Sequence, residues 1–475
     1  MTQISDLIAQ GDLYYDQNDF EAALDYYNEA IKLGSQEARL FYQRGTIYRR
    51  RHEYAAAVAD YTQAIAYNPH EASYWLARGN GYYQQQAYRE AIADYNESLQ
   101  RQPDNPNAWF NRGRAYLESD EFELALADFT AVLRHNPQDA AAHYNCGQIQ
   151  AKQGNYNEAI TAYNQALQLE PNDPLALIGR AGCYAARHET ELALADFAAA
   201  LAIDPDEPNA LSGRGTLYVE LFRFEEALAD YHHALQSAPQ NIELLLSRGM
   251  VQAQLGQFEA ALHDYGEAVR VNPLDARASL GRGFIYYDQG DYQRAWVNFN
   301  QAVHLDNQSI LAYMGRAKCN QHAGQGDKAL ADYQRVLQLD SRTLQAWLAQ
   351  GNIYYQRGQY AAAAQAYSTA LLLAPNEAGA LYNRGNCYAM LGQDMEAIAD
   401  YRQVVQLTPN DGAALYNLAC VLTRQQQFEE AISHLHALLG LQLPNLGLAQ
   451  IQADSDLAAV SNQLVSVSAS TLGRK

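Results

Sequence analysis

Alanine recurs at residues 23, 57, 91, 125, 159, 193, 227, 261, 295, 329, 363, 397 and 431, thirteen times at an interval of 34 with no insertion or deletion. A unit of that length is one helical hairpin, too small to bury its own apolar face, so neighbouring hairpins must stack and share a continuous core. The product is an extended surface rather than a closed pocket, which reads as a binding scaffold. The length of 475 residues would by itself suggest about three domains. The unbroken period from residue 4 to 445 predicts a single array instead.

Composition agrees with the period. Nine of the 13 prolines (Pro69, Pro103, Pro137, Pro171, Pro205, Pro239, Pro273, Pro375 and Pro409) stand twelve residues after one of these alanines, where each stops the second helix of a hairpin. A formal charge of −21 with only five lysines argues against nucleic acid or an anionic membrane surface, whose affinity rests on clustered cations. Cys146, Cys183, Cys319, Cys387 and Cys420 are odd in number and form no CxxC, so reduced core thiols are expected rather than disulfides or a metal site. The N-terminus has no basic stretch followed by an apolar run, and no apolar stretch approaches membrane-spanning length. The expected compartment is the cytoplasm, with no membrane insertion.

Each repeat is numbered from residues 4, 38, 72 and so on to 412, which puts the alanine at position 20. Position 4 then carries Trp75, Trp109 and Trp347 or often a leucine or phenylalanine, position 8 is glycine or alanine, and position 11 is tyrosine in nine repeats. Positions 4, 7, 8 and 11 lie on one stripe of a helix and are expected to face the core. The second half repeats the logic with an aromatic residue at 17, alanine at 20, tyrosine or phenylalanine at 24 and usually alanine at 27. Between the halves, Gly154, Gly256, Gly290, Gly358 and Gly392 supply the positive φ that ends the first helix.

The pattern W/L-x3-G-x2-Y, then A-x3-Y/F-x2-A, then P, at period 34, resembles the tetratricopeptide repeat over thirteen units and more than nine-tenths of the chain. Pentatricopeptide arrays, at 35 and with a basic face, and Sel1-like repeats, near 36, fit less well. The resemblance implies an all-α, right-handed α-solenoid superhelix of antiparallel helix pairs. Its first helices would line a concave groove that binds extended or helical segments of other proteins. Residues 446–466 keep apolar helical spacing through Leu448, Ile451, Leu457, Val460 and Leu464, with Asp454 or Ser455 as a cap, and are expected to shield the last repeat. The tail 467–475 is small and polar and is expected to be disordered.

Position 7 departs from the family pattern. It holds Arg44, Arg78, Arg112, Arg180, Arg214, Arg248, Arg282, Arg316 and Arg384, while position 23 holds Asp60, Asp94, Asp128, Asp196, Asp230, Asp264, Asp332 and Asp400. Every aspartate sits in a repeat that has the arginine, and only Arg282 faces an asparagine, Asn298. This co-occurrence predicts an ion pair between the two helices of one repeat, because an arginine beside the core stripe needs a partner. Inheritance of both residues from one ancestral repeat is the alternative.

With 4, 7, 8 and 11 inward, a step of about 100° per residue sends positions 2, 6, 9 and 13 to the opposite face, flanked by 5 and 12. In repeats 2 to 5 that face collects Arg39, Tyr42, Gln43, Arg49, Arg50, Asn80, Tyr83, Gln84, Asn107, Asn111, Arg114, Tyr144 and Asn145. Amides can bind a peptide backbone without reading its sequence, and arginines favour a carboxylate. The row resembles in part the asparagine ladder of the O-GlcNAc transferase superhelix. Repeats 12 and 13 present Tyr382, Asn383, Asn386, Tyr416 and Asn417 as a second zone of exposed tyrosines and amides. Between the zones, position 6 is Gly179, Gly213, Gly281 and Gly315, which either admit a close ligand backbone or record drift, and drift is favoured. The two-carboxylate clamp of chaperone-binding relatives is not expected, since position 5 never holds lysine.

No HExxH, GxSxG, phosphate loop or EF-hand spacing occurs, and His434 and His436 point apart on a helix, so neither catalysis nor a cofactor is expected. The leading reading is a scaffold for other proteins. The alternatives are the regulatory or substrate-recruiting arm of an enzyme on a separate chain and, against the net charge, a glycan or nucleic-acid binder.

Overall fold

The structure, a computed structural model, describes residues 2–443, 447–461 and 464. Among these residues there is no strand, and each 34-residue repeat contributes two helices. Repeat 2, for instance, places Ala38–Arg50 against Tyr54–Tyr67, and repeat 12 places Ala378–Met390 against Asp394–Leu407. The helices gather into two compact bodies, Met1–Pro239 and Gln240–Lys475. Within each, a second helix packs on its own first helix and on the first helix of the next repeat.

Local chemistry sets the helix ends. In several repeats the residue before the first helix caps it, as where Asn105 and Asp139 accept a backbone N–H three residues on and Asp173 and Asp275 one two residues on. Second helices stop two residues before the proline, as at Tyr67 ahead of Pro69. Position 15 has positive φ in all thirteen repeats, from Gly154 (79°) and Gly392 (74°) to Asn18 (59°), His52 (60°) and Phe222 (58°). Phe222 is a bulky residue in left-handed backbone and 80% exposed, so its ring offsets little of the steric cost. Phe222→Gly should raise the unfolding free energy by about 1 kcal/mol, read by urea denaturation; an unchanged or lowered midpoint would contradict the strain.

The core differs from the expected stripe in a way the packing explains. Position 8 is buried in every repeat as expected, and from repeat 2 onward positions 3 and 10 are buried as well, as with Leu40, Ala108, Ala176, Ala312 and Ala380 at 3 and Ile47, Ala115, Ile149, Leu217 and Ile285 at 10. Position 4 tryptophans and position 11 tyrosines are only half-buried, and Trp75 and Trp347 donate their indole N–H to the carbonyls of Pro69 and Ser341. A stripe drawn for one neighbour misplaces the buried arc, because each interior first helix touches two second helices, its own and the preceding repeat's. All five cysteines are buried and free, and burial pushes the thiols of Cys146, Cys183, Cys319 and Cys387 up to about 11.

In the second body the last repeat is covered. Ile451, Leu457, Val460 and Leu464 are buried in one cluster with Leu418, Val421, Leu422, Leu435 and Leu438. They are carried by the helix Leu448–Ala453 and by the segment after it, where Asp454 caps a 3-10 turn over Ser455–Leu457. The expected tail, 467–475, lies outside the described residues.

Candidate partner-binding faces

The arginine row is built into the helix pairs. In all eight Arg/Asp repeats Nε and Nη2 of the arginine donate to the two carboxylate oxygens of the aspartate sixteen residues on, at 2.6–3.1 Å. The pairs join Arg44 to Asp60, Arg78 to Asp94, Arg112 to Asp128, Arg180 to Asp196, Arg214 to Asp230, Arg248 to Asp264, Arg316 to Asp332 and Arg384 to Asp400. The aspartates are 1–7% exposed. Burial raises the carboxyls of Asp60, Asp94 and Asp128 above their ordinary range while the arginine bonds pull them down.

A third partner escaped the sequence reading. Nη1 reaches back sixteen residues to the preceding repeat, where Arg44 meets Asn28, Arg78 Thr62, Arg112 Asn96, Arg180 Asn164, Arg316 Asn300 and Arg384 Ser368. One guanidinium thus ties two helices of its own repeat to the repeat before it. The signal was a run of small polar residues at position 25, unremarkable until position 7 is known to face it.

Arg282 has neither partner. Asn298 spends its amide on the Arg294 carbonyl at 2.8 Å, the position-25 residue is Gly266, and the buried Nε of Arg282 has no acceptor among the described residues. Asn298→Asp should therefore stabilise the second body by about 1 kcal/mol or more, seen as a higher urea midpoint; a fall would mean that burying the new carboxylate outweighs the pair.

The face assigned to partners is more internally bonded than its spacing suggested. Position 6 does not point away from the core. Gln43 and Asn145 are 6% and 9% exposed, and Asn145 donates to the Ala141 carbonyl. The reason is the position-24 ring of the preceding repeat, which lies over position 6. A Cβ on Gly179, Gly213, Gly281 or Gly315 would fall 2.3–2.6 Å from the ring of Tyr163, Phe197, Tyr265 or Phe299. At these four junctions a side chain would force the ring to shift, whereas the junctions of Gln43 and Asn145 accommodate one.

Position 9 carries the bridging amides. Asn80 Oδ1 accepts from the Tyr95 hydroxyl at 2.9 Å and from Asn111 Nδ2 at 2.8 Å. The second body repeats the device, with Asn386 accepting from Tyr401 at 2.6 Å and from Asn417 at 3.0 Å, and Asn352 accepting from Tyr367 and Asn383. Half of each amide is thereby spent inside the fold. What is left for a partner is the Nδ2 of the position-9 residue and the Oδ1 of the position-6 residue.

In the first body these free halves line a small cavity of about 160 Å³ with Arg49, Tyr83, Gln84 and Arg114. No carboxylate lines it. Arg114 is exposed and stacks over Tyr83 at 4.9 Å. Next to it, Arg114, Phe110, Tyr144, Asn145, Gln148 and Glu118 surround a second cavity of about 300 Å³. Asn107 is exposed, Arg50 is exposed over the Phe20 ring at 4.9 Å, Arg39 lies 3.5 Å from Asp12, and Tyr42 is half-buried against Tyr61 and Tyr74.

The second zone departs from expectation. Tyr382 and Tyr416 are half-buried, with Tyr382 accepting from Asn417 and Tyr416 donating to Asp454 of the C-terminal segment. The covering segment takes up the hydroxyl that was expected to be exposed. A cavity of about 270 Å³ there is lined by Asp454 and Asp456 as well as Arg424, whose guanidinium is already paired with Asp394 and Asp456.

A tetratricopeptide repeat model matches residues 110–174, 147–208, 212–266, 246–310, 322–374 and 348–412, more than half of the chain, and further models of that repeat match 11–50, 38–71, 79–120 and 414–447. No curated protein matches the sequence. Among solved structures the chain is similar to a tetratricopeptide repeat protein from Parabacteroides merdae, with 24% identity over 54% of this chain and 99% of that one and a TM-score of 0.42. It is also similar to yeast Tom70 (17%, 82% and 96%, 0.40) and to the APC/C hetero-tetramer Cut9-Hcn1 (14%, 98% and 96%, 0.40). With models of the repeat matching more than half of the chain, across both bodies, the chain belongs to the tetratricopeptide repeat family.

Proposed function

We propose that this protein is a cytoplasmic, non-catalytic scaffold that holds an extended segment of a partner protein along the first-helix face of repeats 2 to 5. Tetratricopeptide proteins generally bind other proteins. The observation that carries the more specific reading is the cluster around Asn80 and Asn111. Their unspent amide groups can bond a peptide backbone, and Arg49 and Arg114 beside them can receive a carboxylate in a chain whose surface is otherwise acidic. Repeats 11 to 13 offer the same amide geometry with their arginine already neutralised, which suits backbone contact more than acidic side chains.

Affinity purification of the full chain, followed by mass spectrometry, tests the assignment. Replacing Arg49 and Arg114 together by alanine should remove the partners recovered with the wild type, while the helical circular dichroism of the chain is retained. Equal recovery of every partner would move the site elsewhere, and fractionation of the chain with membranes or nuclei would remove the cytoplasmic part of the reading.

A further inference from the structure

A cavity larger than those of the partner face lies outside it. In the second body, an open cavity of about 470 Å³ lies between the second helix of repeat 9 (Tyr292–Leu305) and repeat 10, where the end of the first helix (Ile310–His322), the turn after it and the start of the second helix (Gly326–Leu339) line it. Two departures from the repeat pattern make it. Position 21, aliphatic in every other repeat, is Trp296, and position 11, tyrosine in nine repeats, is Asn320.

The two replacements are locked together. Asn320 is 3% exposed, accepts the Trp296 indole N–H at 3.0 Å and donates to Asp332 at 3.2 Å, which is itself held by Arg316. The indole is thus fixed by a buried amide that is fixed by an ion pair. A second wall is equally ordered, with the rings of Tyr292 and His322 stacked at 3.9 Å and 8°, and the Tyr287 hydroxyl 3.1 Å from His322 Nε2. A cavity of this volume falls in the range of ligand sites, and its walls are rigid aromatic surfaces.

The charge around it is unusual for this chain. Among 54 acidic residues, none lines the cavity, whereas Lys328 does, one of the five lysines. Lys328 is exposed and makes no ion pair among the described residues. The apolar surface does not end at the mouth, for Val297 is 55% and Tyr292 36% exposed beside it. That open apolar rim suits a group presented on another protein's surface, which would cover it, better than a free small molecule, which would leave it in water.

We propose that this cavity is a docking pocket for an aromatic side chain flanked by acidic residues on a partner protein. The ring stacks on Trp296 and the Tyr292/His322 wall, and a neighbouring carboxylate meets Lys328. The site stands apart from the first-helix face of repeats 2 to 5, so either can fail without the other.

Saturation-transfer NMR on the full chain with the capped tripeptide acetyl-Glu-Trp-Glu-amide tests the pocket. The indole protons should receive saturation from the wild type. Ala323→Trp, which fills the cavity from its rim, should weaken binding at least tenfold at unchanged melting temperature, Asn320→Tyr should do the same by restoring the repeat's own ring, and Lys328→Glu should weaken it several-fold. Acetyl-Lys-Trp-Lys-amide should bind several-fold more weakly than the acidic peptide. No saturation of the peptide, equal affinity in Ala323→Trp, or equal affinity of the two peptides would overturn the proposal. So would occupancy by free indole-3-acetate without occupancy by the peptide, which would make the cavity a small-molecule site.

Discussion

Asp94→Ala is expected to lower the unfolding free energy by roughly 3–5 kcal/mol, the cost of leaving a desolvated guanidinium without its counter-charge. Asp94 is 3% exposed and accepts the Arg78 Nε and Nη2 bonds at 2.7 Å, and Arg78, 16% exposed, also lies 5.0 Å over the Trp75 ring, so the cation is largely shielded from water. Truncating both partners tells a different story. Burial raises the Asp94 carboxyl, which shows that the fold charges for its ionisation even with the arginine present. Replacing Arg78 and Asp94 together by alanine should therefore cost far less than Arg78→Ala and Asp94→Ala summed. Urea denaturation of the four proteins of this double-mutant cycle measures the difference, and a coupling below a few tenths of a kcal/mol would mean that the pair is ornamental.

The Arg/Asp ladder was visible in the sequence because its two letters rise and fall together over thirteen copies, and position 15 was visible because glycine recurs there. What stayed hidden belongs to the contact between repeats. Helical periodicity describes one helix against one neighbour, and it put Gln43 and Asn145 on the far side of a helix whose second neighbour in fact covers them. The same omission made Gly213 and Gly281 look accidental, although a Cβ there would meet Phe197 or Tyr265 at 2.3 and 2.5 Å. Asn80 and Asn386 are legible as amides on the partner face, but nothing in the spacing shows that the hydroxyl of the tyrosine fifteen residues on shares the Oδ1 of each with the next repeat's asparagine. Tyr416 was lost to Asp454, a contact 38 residues away that no 34-residue period encodes.

Phe299→Ala should be the most damaging change in the second body, at roughly 3–5 kcal/mol. The ring is fully buried and sits between two glycines, Gly283 of its own repeat and Gly315 of the next, each so close that a Cβ would fall 2.6–2.7 Å from it. It also meets Phe284 edge-on with centroids 5.1 Å apart. Backbone on both sides cannot collapse into the void, because the helices that carry the glycines are held apart by the buried residues beside them, Ala295, Ala302, Ala312 and Cys319. The reverse experiment is Gly315→Ala. Its better helix propensity contributes about 1 kcal/mol, but overpacking against an immobile ring costs about 1–3 kcal/mol, so a net loss is expected where an exposed helix would show a gain. Because a stacked repeat contacts only its neighbours, both variants should open the array locally. Hydrogen exchange should fall in protection first at Ala276–Asp288 and Ile310–His322, the two helices that face the ring; protection lost evenly along the second body would show that the ring stabilises the body as a whole and not this junction.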